Sequence, residues 1–313
     1  MKKYKFTGET KTICLPFGTV TLHRIKAVVE FGLVKVGDLG GWIEKEENLS
    51  HEENAWVYGD AEVCGNAKVY GDAEVYGNAK VYGDAEVYGN AKVRGNAKVY
   101  GNAKVCGNAK VYGDSEVYGD AKVCGNAKVY GDAEVYGNAK VYDNTWVYDN
   151  AWVYGDAKVY GNAEVCGNAK VYGDAEVYGN AKVYDNTWVY DNAWVYGDAK
   201  VYGNAEVCGN AKVCGNAEVY GDAWVCGNAK VFSTDYVLVI GAIGSRNDFT
   251  TFFRDKDNEI TVKCGCFLGK IDKFLEKVTQ THKDTKHALV YRAAVEVAKL
   301  QIDLTEKVQG MKK

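Results

Sequence analysis

The chain has 313 residues, enough for two or more ordinary domains. Its 36 glycines, 24 tyrosines, single proline and two methionines depart from globular usage and point to a repetitive chain. The net charge of −4 singles out no class of partner, and the opening stretch MKKYKFTGETKTICLPFGTV has no apolar run long enough for a signal-peptide core or a membrane span. The expected location is therefore cytoplasmic and off the membrane, where the ten cysteines would stay reduced.

Residues 1–54 carry no repeat but contain strand-like runs, TVTLHRIKAVVEF and VKVGDLGGWIE, that suit an N-terminal β cap. From Val57 to Val231 a valine then stands at every sixth position, giving (231 − 57)/6 + 1 = 30 repeats over residues 55–232. An alanine lies two positions before each valine, replaced only by Ser115, Thr145 and Thr187. The small pair points to one side of a short extended stretch, and the residue between points to the other. The unit reads A-x-V-Y-G-N/D. Its glycine is replaced only by Asp143, Asp149, Asp185 and Asp191, and aspartate is one of the few residues that tolerate the left-handed backbone region. A bend in every repeat follows. A period of six does not fit an α-helix, and a unit of one short strand and one corner suits a parallel β-helix whose coils hydrogen-bond along the axis.

Repeats such as V-Y-G-D-A-E resemble the hexapeptide repeat of left-handed β-helices, and the resemblance covers residues 55–232. It implies an all-β fold, a single-stranded left-handed parallel β-helix with three repeats per triangular coil, hence about ten coils. The entry segment GDLGGWIEKEENLSHEENAWVYG is similar to that of bacterial and phage-borne hexapeptide-repeat proteins of the YdcK type, which carry a transferase label on fold alone.

Residues 18 apart would stack on one face. One such column is Tyr82, Tyr100, Tyr118, Tyr136, Tyr154, Tyr172 and Tyr190, a ladder that would shield the backbone or offer an aromatic surface. Trp152, Trp188 and Trp224, 36 apart, form a candidate binding stripe. Against it, a 43-residue segment beginning at Val129 recurs at Val171, an offset of seven repeats, and seven is not a multiple of three. The copy therefore moves its tryptophans to a different face. Cys106 with Cys124, and Cys208 with Cys226, would be stacked neighbours; a parallel pair holds its Cβ atoms wider than a disulfide prefers, so free thiols are expected. The repeats carry 15 Lys and Arg94 against 9 Glu and 14 Asp, a balance of −7 with lysines interleaved throughout, which disfavours both nucleic-acid binding and DNA mimicry.

After Phe232 the composition changes. YVLVIGAI, DFTTFFR and EITVKCGCF read as strands, and GKIDKFLEKVTQTH and DTKHALVYRAAVEVAKLQI as helices, so residues 233–313 form a small α+β domain. IGSRNDFTTFF and CGCFLG resemble the tail of related bacterial and phage repeat proteins, a match that implies no activity. Arg246, Asn247 and Asp248 sit in a polar loop between strands and are candidate binding residues. With Cys264 and His282, Arg246 and Asp248 make an imaginable catalytic cluster, although a turn, packed thiols and a helix-end histidine explain the same residues.

Acyltransferases and carbonic anhydrases of the resembled family place histidines on the coils, as general base or metal ligand. Here the four histidines are His23, His51, His282 and His287, and none lies in the repeats. No catalytic residue, metal or cofactor is expected on them. The reading is a non-catalytic structural or interaction protein whose end domains bind a partner, expected to be another protein. Two alternatives stay open: a binding module using Tyr and Trp ladders for a saccharide, nucleotide or protein, and an enzyme confined to the C-terminal domain.

Overall fold

In the computed structural model, which describes residues 1–15 and 18–305, each repeat contributes a two-residue strand, the outward residue and the valine. Every valine and alanine of the repeats is buried, nearly all at 0% exposure. Strands three repeats apart pair in parallel and in register, as Lys98 with Glu116 and Val99 with Val117, so the coils are three-sided with valine stacked on valine. Backbone hydrogen bonds run from coil to coil, for instance Lys98 N to Ser115 O at 3.0 Å and Tyr100 N to Val117 O at 3.0 Å. This is a hexapeptide-repeat parallel β-helix. The alanine sites are fully buried, and at three of them the similarly small Ser115, Thr145 and Thr187 take the place of alanine. Ser115 and Thr145 donate their hydroxyls to the carbonyls of Tyr112 and Tyr142, at 3.0 and 3.1 Å.

The structure falls into two units, Met1–Asn168 and Ala169–Lys313, taken separately below. The first opens with an antiparallel hairpin, β1 (Tyr4–Leu15) and β2 (Gly18–Ala27), followed by β3 (Leu39–Ile43). β3 is antiparallel to β2 but parallel to the repeat strand Glu62–Val63, converting hairpin into helix. Ile43 registers under Val63 and Leu49 bridges Val69. An irregular coil therefore precedes the first repeat, and the turns number about eleven where the repeats alone imply ten. Asn48, fully buried, donates its amide to the carbonyls of Gly65 and Ala67 at 3.1 and 2.8 Å and so satisfies the open end of that coil.

One expectation about this unit is overturned. Cys106 and Cys124 are joined in a disulfide, with Cα atoms 4.6 Å apart. That separation lies inside the range a disulfide spans, and the pair sits at the outward position just past the valine, where the side chains are free to turn toward each other. Cys208 and Cys226 remain thiols.

In the second unit the repeat strands run on to Lys230–Val231 and are closed by a four-stranded antiparallel sheet, Val237–Ile243, Asp248–Arg254, Ile260–Cys264 and Phe267–Lys270 in that order. Two helices, α1 (Ile271–His282) and α2 (Lys286–Gln301), pack on one face around Phe252, Val262, Phe274, Val278, Tyr291 and Val295. The sheet also ties to the final coil: Ala229 bridges Asp255, and Lys256 N donates to Asn228 O at 3.1 Å. The exposed last strands of a solenoid would otherwise template pairing with other chains, and this domain covers them. No helix among the described residues is long and apolar enough to cross a membrane.

Candidate functional site

Along the coils the outward side chains are largely occupied with one another. In the first unit the rings of Tyr82, Tyr100, Tyr118, Tyr136 and Tyr154 stack nearly parallel at centroid spacings of 4.8 to 4.9 Å. Tyr70, Tyr100 and Tyr118 donate their hydroxyls to Glu86, Glu116 and Glu134 at 3.1, 2.8 and 2.8 Å. Burial first, and then these carboxylates, hold the phenols in their protonated form, with Tyr70 pushed up to about 12. Lysines answer glutamates one coil away, as Lys98 and Glu116 at 2.7 Å, and corner amides form chains such as Asn90, Asn108 and Asn126. The second unit repeats the pattern, with Tyr172 on Tyr190 at 5.0 Å and Tyr202 donating to Glu218 at 3.0 Å.

The tryptophans belong to these ladders. Trp146 lies between Lys128 and Glu164, and Trp188 between Lys170 and Glu206, so the two tryptophans have the same kinds of stacked neighbour. Lys128 and Lys170 sit over the respective rings at 4.3 and 5.3 Å. Trp152, in the first unit, stacks beside Glu134 and meets the ring of Tyr136 edge-on at 6.5 Å. Trp188 is 41% exposed. The proposed stripe is thus interrupted by charge, Glu206 standing between Trp188 and Trp224.

Trp224 is different. Its backbone N–H donates to Thr251 Oγ1 at 2.9 Å, its indole N–H to Cys208 Sγ at 3.3 Å, and Lys263 Nζ lies 3.4 Å from the centroid of its ring. The last coil and the sheet together enclose a cleft of about 350 Å³ lined by Asp222, Trp224, Asp248, Phe249, Thr251 and Lys263. Two carboxylates, one ammonium and two aromatic side chains converge there, the composition expected of a site for a polar ligand or side chain. Beneath it the two thiols share protons unequally. The hydrogen bond from Cys226 lowers the Cys208 thiol, against the effect of burial, and Cys226 is raised in turn.

Of the residues singled out in the sequence, the fold therefore brings Trp224 and Asp248 together. Arg246 is exposed, with its guanidinium against Gly265 at the edge of the cleft; Asn247, at φ 49°, serves the turn between strands. Cys264 and His282 join a different cluster: Ser245 Oγ lies 3.4 Å from His282 Nε2, the His282 ring stacks on Tyr291 at 5.8 Å, and the Tyr291 hydroxyl is 3.9 Å from Cys264 Sγ. Ser245 and His282 have the identities of a nucleophile and base, but the ring stacks on a phenol, and among the described residues its hydrogen-bond partner is Ser245 and not a carboxylate. Asp222, Phe249, Thr251 and Lys263 carried no signal in the sequence, because their role exists only once the sheet is laid on the final coil. No cluster of three or more His, Cys, Asp or Glu able to hold a metal occurs among the described residues.

The repeat, its three-sided coils and its Ala/Val interior make this chain a hexapeptide-repeat β-helix protein. It is similar to a protein of Escherichia coli (strain K12) named Uncharacterized acetyltransferase YdcK, at 35% identity over 77 residues, which is 21% of this chain. The match spans about a quarter, 24%, of that protein's length. No protein-family model matches the chain.

Proposed function

We propose that this is a non-catalytic interaction scaffold that engages a protein partner through the cleft at its C-terminal end. The observation that carries the reading is the contrast between coils and cleft. Along the coils, rings stack on rings, phenols bond to glutamates and lysines to glutamates, leaving little unmatched chemistry for a reactant. At the cleft, Trp224, Phe249, Asp222, Asp248 and Lys263 converge around a hollow. A lysine or arginine side chain of a partner would lie between the two carboxylates with its aliphatic stem against the rings.

The acetyltransferase in the name of the Escherichia coli protein is the competing reading for this chain. Transfer from acetyl-coenzyme A on such a helix needs a general base on a coil, and the repeats of this chain supply no histidine for it. The two readings separate in one experiment. Tagged full-length chain and its Trp224→Ala, Asp248→Lys and Trp146→Ala variants are used to capture partners after crosslinking, while each is assayed for coenzyme A release. Capture of a defined partner that is lost on changing Trp224 or Asp248 but kept on changing Trp146 is expected. Coenzyme A release by the full-length chain above the uncatalysed rate, or capture indifferent to both cleft changes, would overturn the proposal.

A further inference from the structure

The outward position after the valine is Tyr or Cys in every repeat but two: Phe232 ends the series, and Arg94 stands inside it. In the first unit Arg94 takes a place in a tyrosine column, between Tyr76 one coil before and Tyr112 one coil after. Its guanidinium stacks on the Tyr112 ring at 4.8 Å, and Tyr112 stacks in turn on Tyr130 at 5.1 Å. The slimmer side chain leaves a notch in the column, a cavity of about 70 Å³ lined by Tyr76, Lys92, Arg94, Lys110 and Tyr112.

Charge around this notch is mostly positive, with Glu74 beside Lys92 as the acidic neighbour. Between Glu86 and Asp114 the chain has no acidic residue, and Lys92, Arg94, Lys98, Lys104 and Lys110 all fall there. Three of these have carboxylate partners: Lys92 with Glu74, Lys98 with Glu116 and Lys104 with Glu86. Lys110 and Arg94 pair with no carboxylate among the described residues. Lys110 is moreover in register with Lys92 on one side and Lys128 on the other. Like charges directly opposite on adjacent strands repel; Lys128 is relieved by the ring of Trp146, and the longer run of Lys104, Lys122, Lys140 and Lys158 in this unit has no arginine beside it.

We infer that Lys92, Arg94 and Lys110 form an anion site that takes a tetrahedral oxyanion, phosphate or the phosphoryl group of an organic phosphate. Arginine supplies a planar fork of donors matched to phosphoryl oxygens, and the two ammonium groups close around it as point charges. Bound there, the anion neutralises Lys110 and Arg94, the two cations without a carboxylate among the described residues, and fills the notch that Arg94 opens. The guanidinium already rests over the Tyr112 ring before the anion arrives, which lowers the ordering that binding requires.

The full-length chain and three variants are titrated calorimetrically with inorganic phosphate and with phenyl phosphate at constant ionic strength. Arg94→Tyr restores the repeat consensus and the ring column, so it retains the fold; Lys110→Gln removes one ammonium; Lys122→Gln changes an exposed lysine outside the notch. Saturable one-to-one binding is expected in the parent chain and in Lys122→Gln, weakened by about tenfold or more in Arg94→Tyr and Lys110→Gln. Phosphate should also raise the melting temperature of the parent and leave that of Arg94→Tyr unmoved. Tighter binding of phenyl phosphate assigns the site to an organic phosphate seated against Tyr76, and equal binding assigns it to the free anion. The inference is overturned if neither ligand saturates the parent chain, or if Arg94→Tyr binds as well as the parent.

Discussion

Replacing a corner glycine tests the backbone argument at its sharpest point, because the protein itself supplies a comparison. Gly101 has φ of +69°, and a Cβ built on it would come 3.0 Å from the nitrogen and 3.1 Å from the oxygen of Gly119 in the next coil. Gly101→Ala therefore combines a left-handed backbone, about 1–2 kcal/mol for a residue with a Cβ, with a contact that the stacked coil must relax. Aspartate meets the same sterics but brings its own compensation. Asp143, Asp185 and Asp191 occupy corners at φ of 64°, 64° and 58°, and accept the N–H of Gly161, Gly203 and Gly209 from the next coil at 3.1, 3.1 and 3.2 Å. One such hydrogen bond returns roughly 0.5–1.5 kcal/mol. Gly101→Asp should consequently be milder than Gly101→Ala by about 1 kcal/mol, read as the difference in urea midpoint at unchanged slope. Equal destabilisation, or a milder alanine, would refute the account of the corners.

Three further outcomes follow from the geometry. Alkylation of the denatured, unreduced protein should label eight cysteines and leave Cys106 and Cys124 in one linked peptide, and reduction should lower stability by up to about 3 kcal/mol for a closed loop of this length. Tyr70, Tyr130 and Tyr136 are raised to about 12, foremost by burial, above the value near 10 of an unfolded chain. The fold thus holds their protons more tightly than the unfolded state, so stability present below pH 10 is lost as the pH rises toward 12; tyrosinate absorbance and loss of circular dichroism should rise together, and tyrosinate forming near pH 10 in an intact fold would contradict this. Thr251→Val leaves the Trp224 N–H without its acceptor beneath the C-terminal sheet, which should cost about 1–3 kcal/mol locally and accelerate hydrogen exchange at that amide while leaving that of Tyr100 unchanged.

The repeat made most of the fold legible. A valine every six residues and an alanine two before it dictate which side chains enter the coil, and glycine-to-aspartate exchange marks the bend, so strand, corner and stacking partner follow for every position from Val57 to Val231. The strands at YVLVIGAI and DFTTFFR and the two helices were readable because period two and period 3.6 differ, but the fourth strand, Phe267–Lys270, was not: EITVKCGCF read as one strand, and Gly269 and Lys270 as the start of a helix. The Cys106–Cys124 bond was not. The expectation rested on a fixed Cβ spacing, whereas these cysteines stand past the end of the two-residue strand, where chain direction is already turning. The opening coil was also hidden, because Ile43, Leu49 and Val57 are spaced by six and then eight residues, and only the pairing of Ile43 with Val63 and Leu49 with Val69 reveals it. The cleft was half visible: Trp224 and Asp248 stood out locally, but Lys263 and Thr251 reach them through the closure of the last coil, a relation no local pattern encodes.

That irregular opening coil bears on how the chain finds its fold. Among near-identical repeats, sliding one segment past another by three repeats restores every valine and alanine to an equivalent place, so the interior alone distinguishes poorly between the native alignment and its slipped copies. Ile43, Leu49 and the buried Asn48 have no duplicates in the repeats, and Asn48 satisfies the carbonyls of Gly65 and Ala67 with an amide no alanine can supply. They give the array a beginning that fits one partner only. Further along, Cys106 and Cys124 can join only when Val105 and Val123 are neighbours, so the bond records a correct alignment in covalent form. A chain lacking both features would keep its hydrophobic pattern and lose its means of counting.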